Sequence, residues 1–178
     1  QGIISMRGAI IILILAWIIS TVVSEMHTGE YLSTLVAGNI HAGFLPVILF
    51  LLAGVMAFAT GTSWGTFGIM LPIAAAMAVK VEPALIIPCM SAVMAGAVFG
   101  DHCSPISDTT ILSSTGAHCN HIDHVTSQFP YALTVAASAA SGYLVLGMTG
   151  SAPLGFVVTG IVMVVLILIL KDKKKATA

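Results

Sequence analysis

Ala84-Leu-Ile-Ile-Pro-Cys-Met-Ser-Ala-Val-Met-Ala-Gly-Ala-Val-Phe99 runs directly into Gly100-Asp-His-Cys-Ser-Pro-Ile-Ser-Asp-Thr-Thr110. The first part is apolar enough to enter a bilayer and nearly long enough to cross it. The second part places Asp101 and Asp108 where such a crossing is unfinished. A carboxylate at membrane depth costs about 2.5–3.5 kcal/mol on insertion scales, and such residues mark ion or proton paths. A polar loop at the membrane surface is the competing reading. Pro105 argues for a broken helix. It has no N–H, so the carbonyl four residues back, that of Asp101, is expected to lose its helical partner. Irregular backbone at membrane depth is tolerated where it is buried in protein or lines a watery cavity.

The chemistry of this stretch is an oxygen chemistry. Asp101, Ser104, Ser107, Asp108, Thr109 and Thr110 supply carboxylates and hydroxyls, and the break at Gly100 and Pro105 supplies freed carbonyls. Hard cations take oxygen ligands, and broken helices present dipole ends to ions. In an unbroken helix Asp101 and Asp108 would lie about 20° apart, nearly on one face. The proline leaves that geometry open.

A second interruption lies upstream. Gly43–Thr60 and Phe67–Val79 are apolar runs separated by Gly61-Thr-Ser-Trp-Gly-Thr66. Gly61 and Gly65 allow a tight turn. Pro72 should break the second run by freeing the carbonyl of Gly68. Thr62, Ser63 and Thr66 add hydroxyls. Two interrupted helices in one chain are a pointer to a transport site. The same segment also reads G-x-S-x-G, the elbow of serine hydrolases, which needs a strand before it and a helix after it. Here a membrane run precedes it. An intramembrane serine protease using Ser63, with His102 nearby, stays as an alternative of a different class.

Composition agrees with the membrane reading. Of 178 residues, 58% are apolar and 7% charged, and mean hydropathy is +1.07. An average soluble domain carries roughly 25% charge. A soluble globule, a disordered chain and a nucleic-acid binder are therefore excluded. Long apolar runs favour helices over a barrel. The expected fold is all-α, a polytopic helical membrane protein with a re-entrant hairpin and a broken helix. It reads as one unit over 1–178. Residues 1–42 hold a first helix, Ile10–Val23, and an interfacial helix or plain loop within Glu25–His41, where Tyr31, Leu32, Leu35 and Val36 share a face. Residues 43–128 hold the hairpin, the broken helix and the site. Residues 129–178 hold two spanning helices, Phe129–Met148 and Ala152–Leu170, and a basic tail. Gln1 suggests a piece of something longer.

The histidines and cysteines are weighed separately. His102, Cys103, His118, Cys119, His121 and His124 do not match a standard zinc spacing, so no transition metal is expected. His118–Gln128 reads as a solvated cytoplasmic loop. His102, beside Asp101, is kept as a proton-path residue. Cys89 reads as a small core hydrophobe, and Trp64 as a packing or interface residue or a lining of the site. For orientation, short cytoplasmic loops collect Lys and Arg. With the lysine tail cytoplasmic and Gly43–Val79 a re-entrant hairpin, five of the six basic residues fall inside.

At Thr60-Gly-Thr-Ser-Trp-Gly-Thr-Phe-Gly-Ile-Met-Leu-Pro72 and Gly100-Asp-His-Cys-Ser-Pro-Ile-Ser-Asp-Thr-Thr-Ile-Leu-Ser-Ser-Thr-Gly116 the chain resembles the NhaC family of sodium/proton antiporters. The resemblance covers the chain from about Gly43 onward and implies the C-terminal half of an inverted-repeat transporter. It implies exchange of Na+ for H+ across the cell membrane, with those ions as cargo and no cofactor. The missing N-terminal half would supply the second repeat. The lipid bilayer is the other partner, and a homodimer is compatible. Malate/lactate-type exchangers resemble this family too, so a sodium-coupled organic acid exchanger is the nearer alternative.

Overall fold

The computed structural model describes residues 41–176 and isolated positions between 14 and 31. Apart from those isolated positions, the expected first helix and interfacial helix lie outside the described residues. Among the described residues there is no strand. A 3-10 turn, Ala42–Phe44, leads into α1 (Leu45–Thr60), followed by α2 (Ser63–Val81). A second 3-10 turn, Pro83–Leu85, leads into α3 (Ile86–Cys103). Then come α4 (Asp108–Gly116), α5 (His121–Thr149) and α6 (Ala152–Ala176). All but α4 are long and apolar enough to cross a membrane, five helices among the described residues. The chain is an all-α, polytopic membrane protein.

Local chemistry sets the helix ends. Proline opens α1, where its missing N–H costs nothing. Gly61 closes α1 in the left-handed conformation (φ 69°), with its N–H donating to the Ala57 carbonyl at 2.8 Å. Thr62 then caps α2, its hydroxyl accepting from Gly65 N–H at 3.5 Å. Asn120 caps α5 by accepting from the N–H groups of Ile122 and Asp123.

Several expectations change here. Only Gly61 and Thr62 interrupt the first pair of helices, so Gly65 lies inside the first turn of α2. Pro72 sits within α2 without ending it. Gly100 sits within α3. None of these three breaks a helix. The supposed loop His118–Gln128 is mostly helix, because the Asn120 cap starts α5 at His121. The expected boundary between Gln128 and Phe129 therefore falls inside α5.

Packing explains Gly100. A Cβ on Gly96 would run into the Phe50 carbonyl oxygen, and one on Gly100 into that of Gly54. The steady offset makes α1 and α3 parallel and brings their backbones together. Gly96-x-x-x-Gly100 is the spacing that permits this close approach between membrane helices. α2 runs back along the pair. Leu45, Leu49, Ala53 and Ala57 of α1, Met70, Ala74 and Ala78 of α2, and Cys89, Val93 and Ala97 of α3 form the core at every fourth residue. α5 is antiparallel to α1 and α3. Gly147 packs on the Gly43 carbonyl, and the Tyr143 hydroxyl donates to the Ser91 carbonyl at 3.0 Å. α6 packs on α5 through Gly142 and Gly155 and leaves most of its apolar surface exposed.

These contacts fix relative depth. From Gly43, which meets Gly147, to Gly61 the chain rises about 27 Å. The same distance back along α5 reaches the neighbourhood of Phe129. The α1–α2 turn therefore lies at the end of the bundle where α5 starts, and the Gly61–Ile106 and His121–Pro105 contacts join the two. The His-rich start of α5 and the end of α6 share one end of the bundle. Lys80 and the Gly150 turn share the other.

The close α1–α3 contact sets a stability expectation. Gly96→Val should lower stability by about 1–3 kcal/mol, since overpacking displaces backbone. Gly116, with nothing within 4 Å of an added Cβ, should accept Ala with no loss. Thermal unfolding in detergent measures both, and an unchanged midpoint for Gly96→Val would contradict the packing.

Candidate ion-binding site

The two interruptions meet. A Cβ on Gly61 would stand 2.8 Å from the Ile106 carbonyl oxygen, so the α1–α2 turn lies directly against the α3–α4 break. The break itself is short. α3 ends at Cys103, and Ser104 and Ser107 are extended (ψ 127° and 132°). Pro105 lies just past the end of α3. The Asp101 carbonyl is not orphaned, contrary to the sequence expectation. It accepts from Ser104 N–H at 3.1 Å, the tightened closing turn of α3. Ser107 caps α4, its hydroxyl accepting from Thr110 N–H at 3.4 Å.

Asp101 sits at this junction and is 3% exposed. Three hydroxyls from three segments reach its carboxylate. Ser107 donates to Oδ1 at 2.6 Å. Thr109 donates to Oδ2 at 3.1 Å, and Ser63, in the first turn of α2, donates to Oδ2 at 3.3 Å. Buried polar groups must be satisfied in this way. Ser107 Oγ and Thr109 Oγ1 also lie 2.7 Å apart, a contact in which either can donate.

Each hydroxyl has one proton. If Ser107 and Thr109 both donate to Asp101, their mutual contact has none left. A proton on the Asp101 carboxyl closes the ring: Asp101 donates to Ser107, Ser107 to Thr109, and Thr109 back to Oδ2. A cation drawing on the same oxygens is the other way to relieve the deficit.

The remaining sequence candidates divide into supports and outsiders. Thr66 is buried and donates to the Thr62 carbonyl at 3.0 Å, which stiffens the start of α2. Ser104 is buried, and its hydroxyl accepts from Ile106 N–H at 3.4 Å within the break. Thr110 is buried behind Ser107. Thr62 acts through its cap. Asp108 is separated from Asp101. It is exposed, and its Oδ1 accepts from Thr109 N–H at 2.8 Å in the first turn of α4, where a carboxylate complements the helix dipole. The break rotates Asp108 away from the face an intact helix would have shared.

Ser63 bonds a carboxylate, and a helix precedes it, so the hydrolase elbow is not formed. Trp64 is 68% exposed and packs edge-on against Phe67. His102 binds the Val98 carbonyl through Nδ1 at 2.9 Å. It lines a polar cavity of about 390 Å³ with Thr109, Thr110, Ser113, His124 and Gln128. Thr109 thus joins that cavity to Asp101. No group of three or more His, Cys, Asp or Glu side chains among the described residues is placed to hold a metal ion. His121, in the stretch expected to be a loop, opens α5 and faces the break. Its ring Nε2 lies 2.6 Å from the Pro105 carbonyl oxygen and its Nδ1 3.1 Å from Ser114 Oγ. The asparagine cap just before it was the available signal that a helix starts there.

Several known proteins are similar to this chain in sequence. An uncharacterized protein of Haemophilus influenzae is 64% identical over 97% of this chain and 33% of its own length. The malate-2H(+)/Na(+)-lactate antiporter of Bacillus subtilis is 35% identical over 48% of this chain and 18% of its own. An uncharacterized Na(+)/H(+) antiporter of Haemophilus influenzae is 32% identical over 59% of this chain and 22% of its own. The chain spans about a third or less of the length of these relatives. No solved structure matches it. The sequence profile of one family matches residues 1–148, most of the chain and all of the site described above, and on that match the chain belongs to the Na+/H+ antiporter family.

Proposed function

We propose that this chain carries the exchange carboxylate of a sodium/proton antiporter of the NhaC type, and that the carboxylate is Asp101. The carrying observation is the proton deficit in the Asp101–Ser107–Thr109 ring. The ring is completed by a proton or opened by a cation, and the two exclude each other. Sodium suits the site because every group offered is an oxygen. On sodium arrival, Ser63, Ser107 and Thr109 turn their protons away and present lone pairs, while Asp101 releases its proton. The reverse sequence reloads the proton. Exposing the site to each face in turn then exchanges the ions.

Depth supports this reading. With the lysine tail cytoplasmic, the His-rich start of α5 is cytoplasmic as well. Lys80 lies on the far side, and the α1–α2 hairpin enters from that side. The polar cavity beside Thr109 then opens toward the cytoplasm. The rest of a sodium shell and the other repeat come from residues outside this chain. The protein would sit in the cell membrane, and a homodimer remains compatible.

The resemblance to the Bacillus subtilis antiporter favours one variant, an organic acid as additional cargo. Flux assays with and without small organic acids on the opposite side distinguish the two.

In proteoliposomes of a full-length transporter carrying this chain, Asp101→Asn should abolish sodium-driven proton movement, since an amide keeps the shape and loses the exchangeable proton. Asp108→Asn should retain it. The opposite pattern would reassign the carrier. Ser107→Ala should raise the sodium concentration for half-maximal flux by about ten-fold, as loss of a hydrogen bond to a charged group implies. Unchanged half-saturation would remove Ser107 from the site. Ser63 should resist a fluorophosphonate probe, and covalent labelling there would revive the hydrolase reading.

A further inference from the structure

We infer that His121 is a positioning residue for the Asp101 site: its ring holds the α3–α4 break in place from the first turn of α5. This rests on the reading of Asp101 as the exchange carboxylate.

The break is four residues long, Ser104–Ser107. Ser107, at its end, makes the shortest bond to Asp101, 2.6 Å. Within the break, the Ser107 N–H reaches the Ser104 carbonyl at 3.3 Å, and Ile106 N–H reaches Ser104 Oγ at 3.4 Å. Both are long for hydrogen bonds, so the loop does not hold itself firmly. The Pro105 carbonyl is tied from outside, by His121 Nε2 at 2.6 Å. That contact joins residues sixteen apart in sequence. Moving this carbonyl moves Ser107, two residues on.

The other ring nitrogen anchors the imidazole. Nδ1 meets Ser114 Oγ at 3.1 Å, on α4. One side chain on α5 therefore ties together the break and the helix that carries Thr109. A carbonyl only accepts, so Nε2 bears the proton. That proton is present in the imidazolium and in the matching neutral tautomer, so the tie holds in either charge state. Ser114 adjusts, donating to Nδ1 of the neutral ring or to the Ile111 carbonyl at 3.0 Å when the ring is charged. The role is mechanical and does not require proton transfer through His121.

Glutamine and asparagine separate this role from general structure. The Gln amide nitrogen falls where Nε2 is, and the Asn amide falls where Nδ1 is. His121→Asn should raise the sodium concentration for half-maximal proton flux about five-fold, the effect of one lost hydrogen bond, with maximal flux retained. His121→Gln should restore near-normal half-saturation. Ser114→Ala, which frees the ring without removing it, should shift half-saturation in the same direction by less. Equal half-saturation in Asn, Gln and parent proteins overturns the positioning role. So does a fall in maximal flux alone, which a folding defect would give. If a full-length transporter carrying this chain shows no sodium-driven flux, the Asp101 reading fails and takes this role with it. If the parent shows flux that Asp101→Asn removes, while His121→Asn is normal, only the role of His121 fails.

Discussion

A carboxylate that is 3% exposed must have its hydrogen bonds supplied by the protein around it. The fold brings three separate segments to Asp101 for that purpose. Ser63 arrives because α1 ends at Gly61 and α2 starts at once behind the Thr62 cap. Ser107 arrives because α3 stops at Cys103. Thr109 arrives because Ser107 restarts the helix as α4. None of the three could reach the carboxylate from an uninterrupted helix. The interruptions are therefore the means of solvating an acid that water barely touches.

The supporting frame is built from small residues. Within a bilayer, helices gain little by leaving lipid for one another, so close packing carries the association. Gly54, Gly96 and Gly100 let α1 and α3 meet backbone to backbone. Alanines at every fourth position continue the contact into α2. This places Asp101 on a tightly packed helix, one residue from a glycine in direct contact with α1. The carboxylate is held on the rigid part of the molecule, while two of its three hydroxyl partners sit on the break and α4.

Much of this was legible in the sequence. Apolar runs of membrane length, separated by Gly, Ser, Thr and Asp, identified the helices and both interruptions. Chemistry alone identified Asp101, Ser63, Ser107 and Thr109 as candidates. Direction was not legible. Asp101 and Asp108 looked equivalent because a helical wheel assumes an unbroken helix, and the turn between them rotates one away. Gly100 and Pro72 looked like breakers because composition does not distinguish a glycine that bends from one that packs, or a proline that ends a helix from one that a helix absorbs. His121 looked like loop because its local window is polar. Its partners are Pro105 and Ser114, which no local pattern connects to it.

Gly61 and Ile106 touch through their backbones. Two interruptions in contact behave as a bearing. Neither the hairpin turn nor the break can slide along the bundle axis without pushing its neighbour, and both carry oxygens for the same carboxylate. A displacement that reaches either one thus changes the whole oxygen set in a single step. In the proposed exchange, the oxygen set would then change as a unit. An exchanger depends on that property, since a half-assembled site would leak one ion without returning the other.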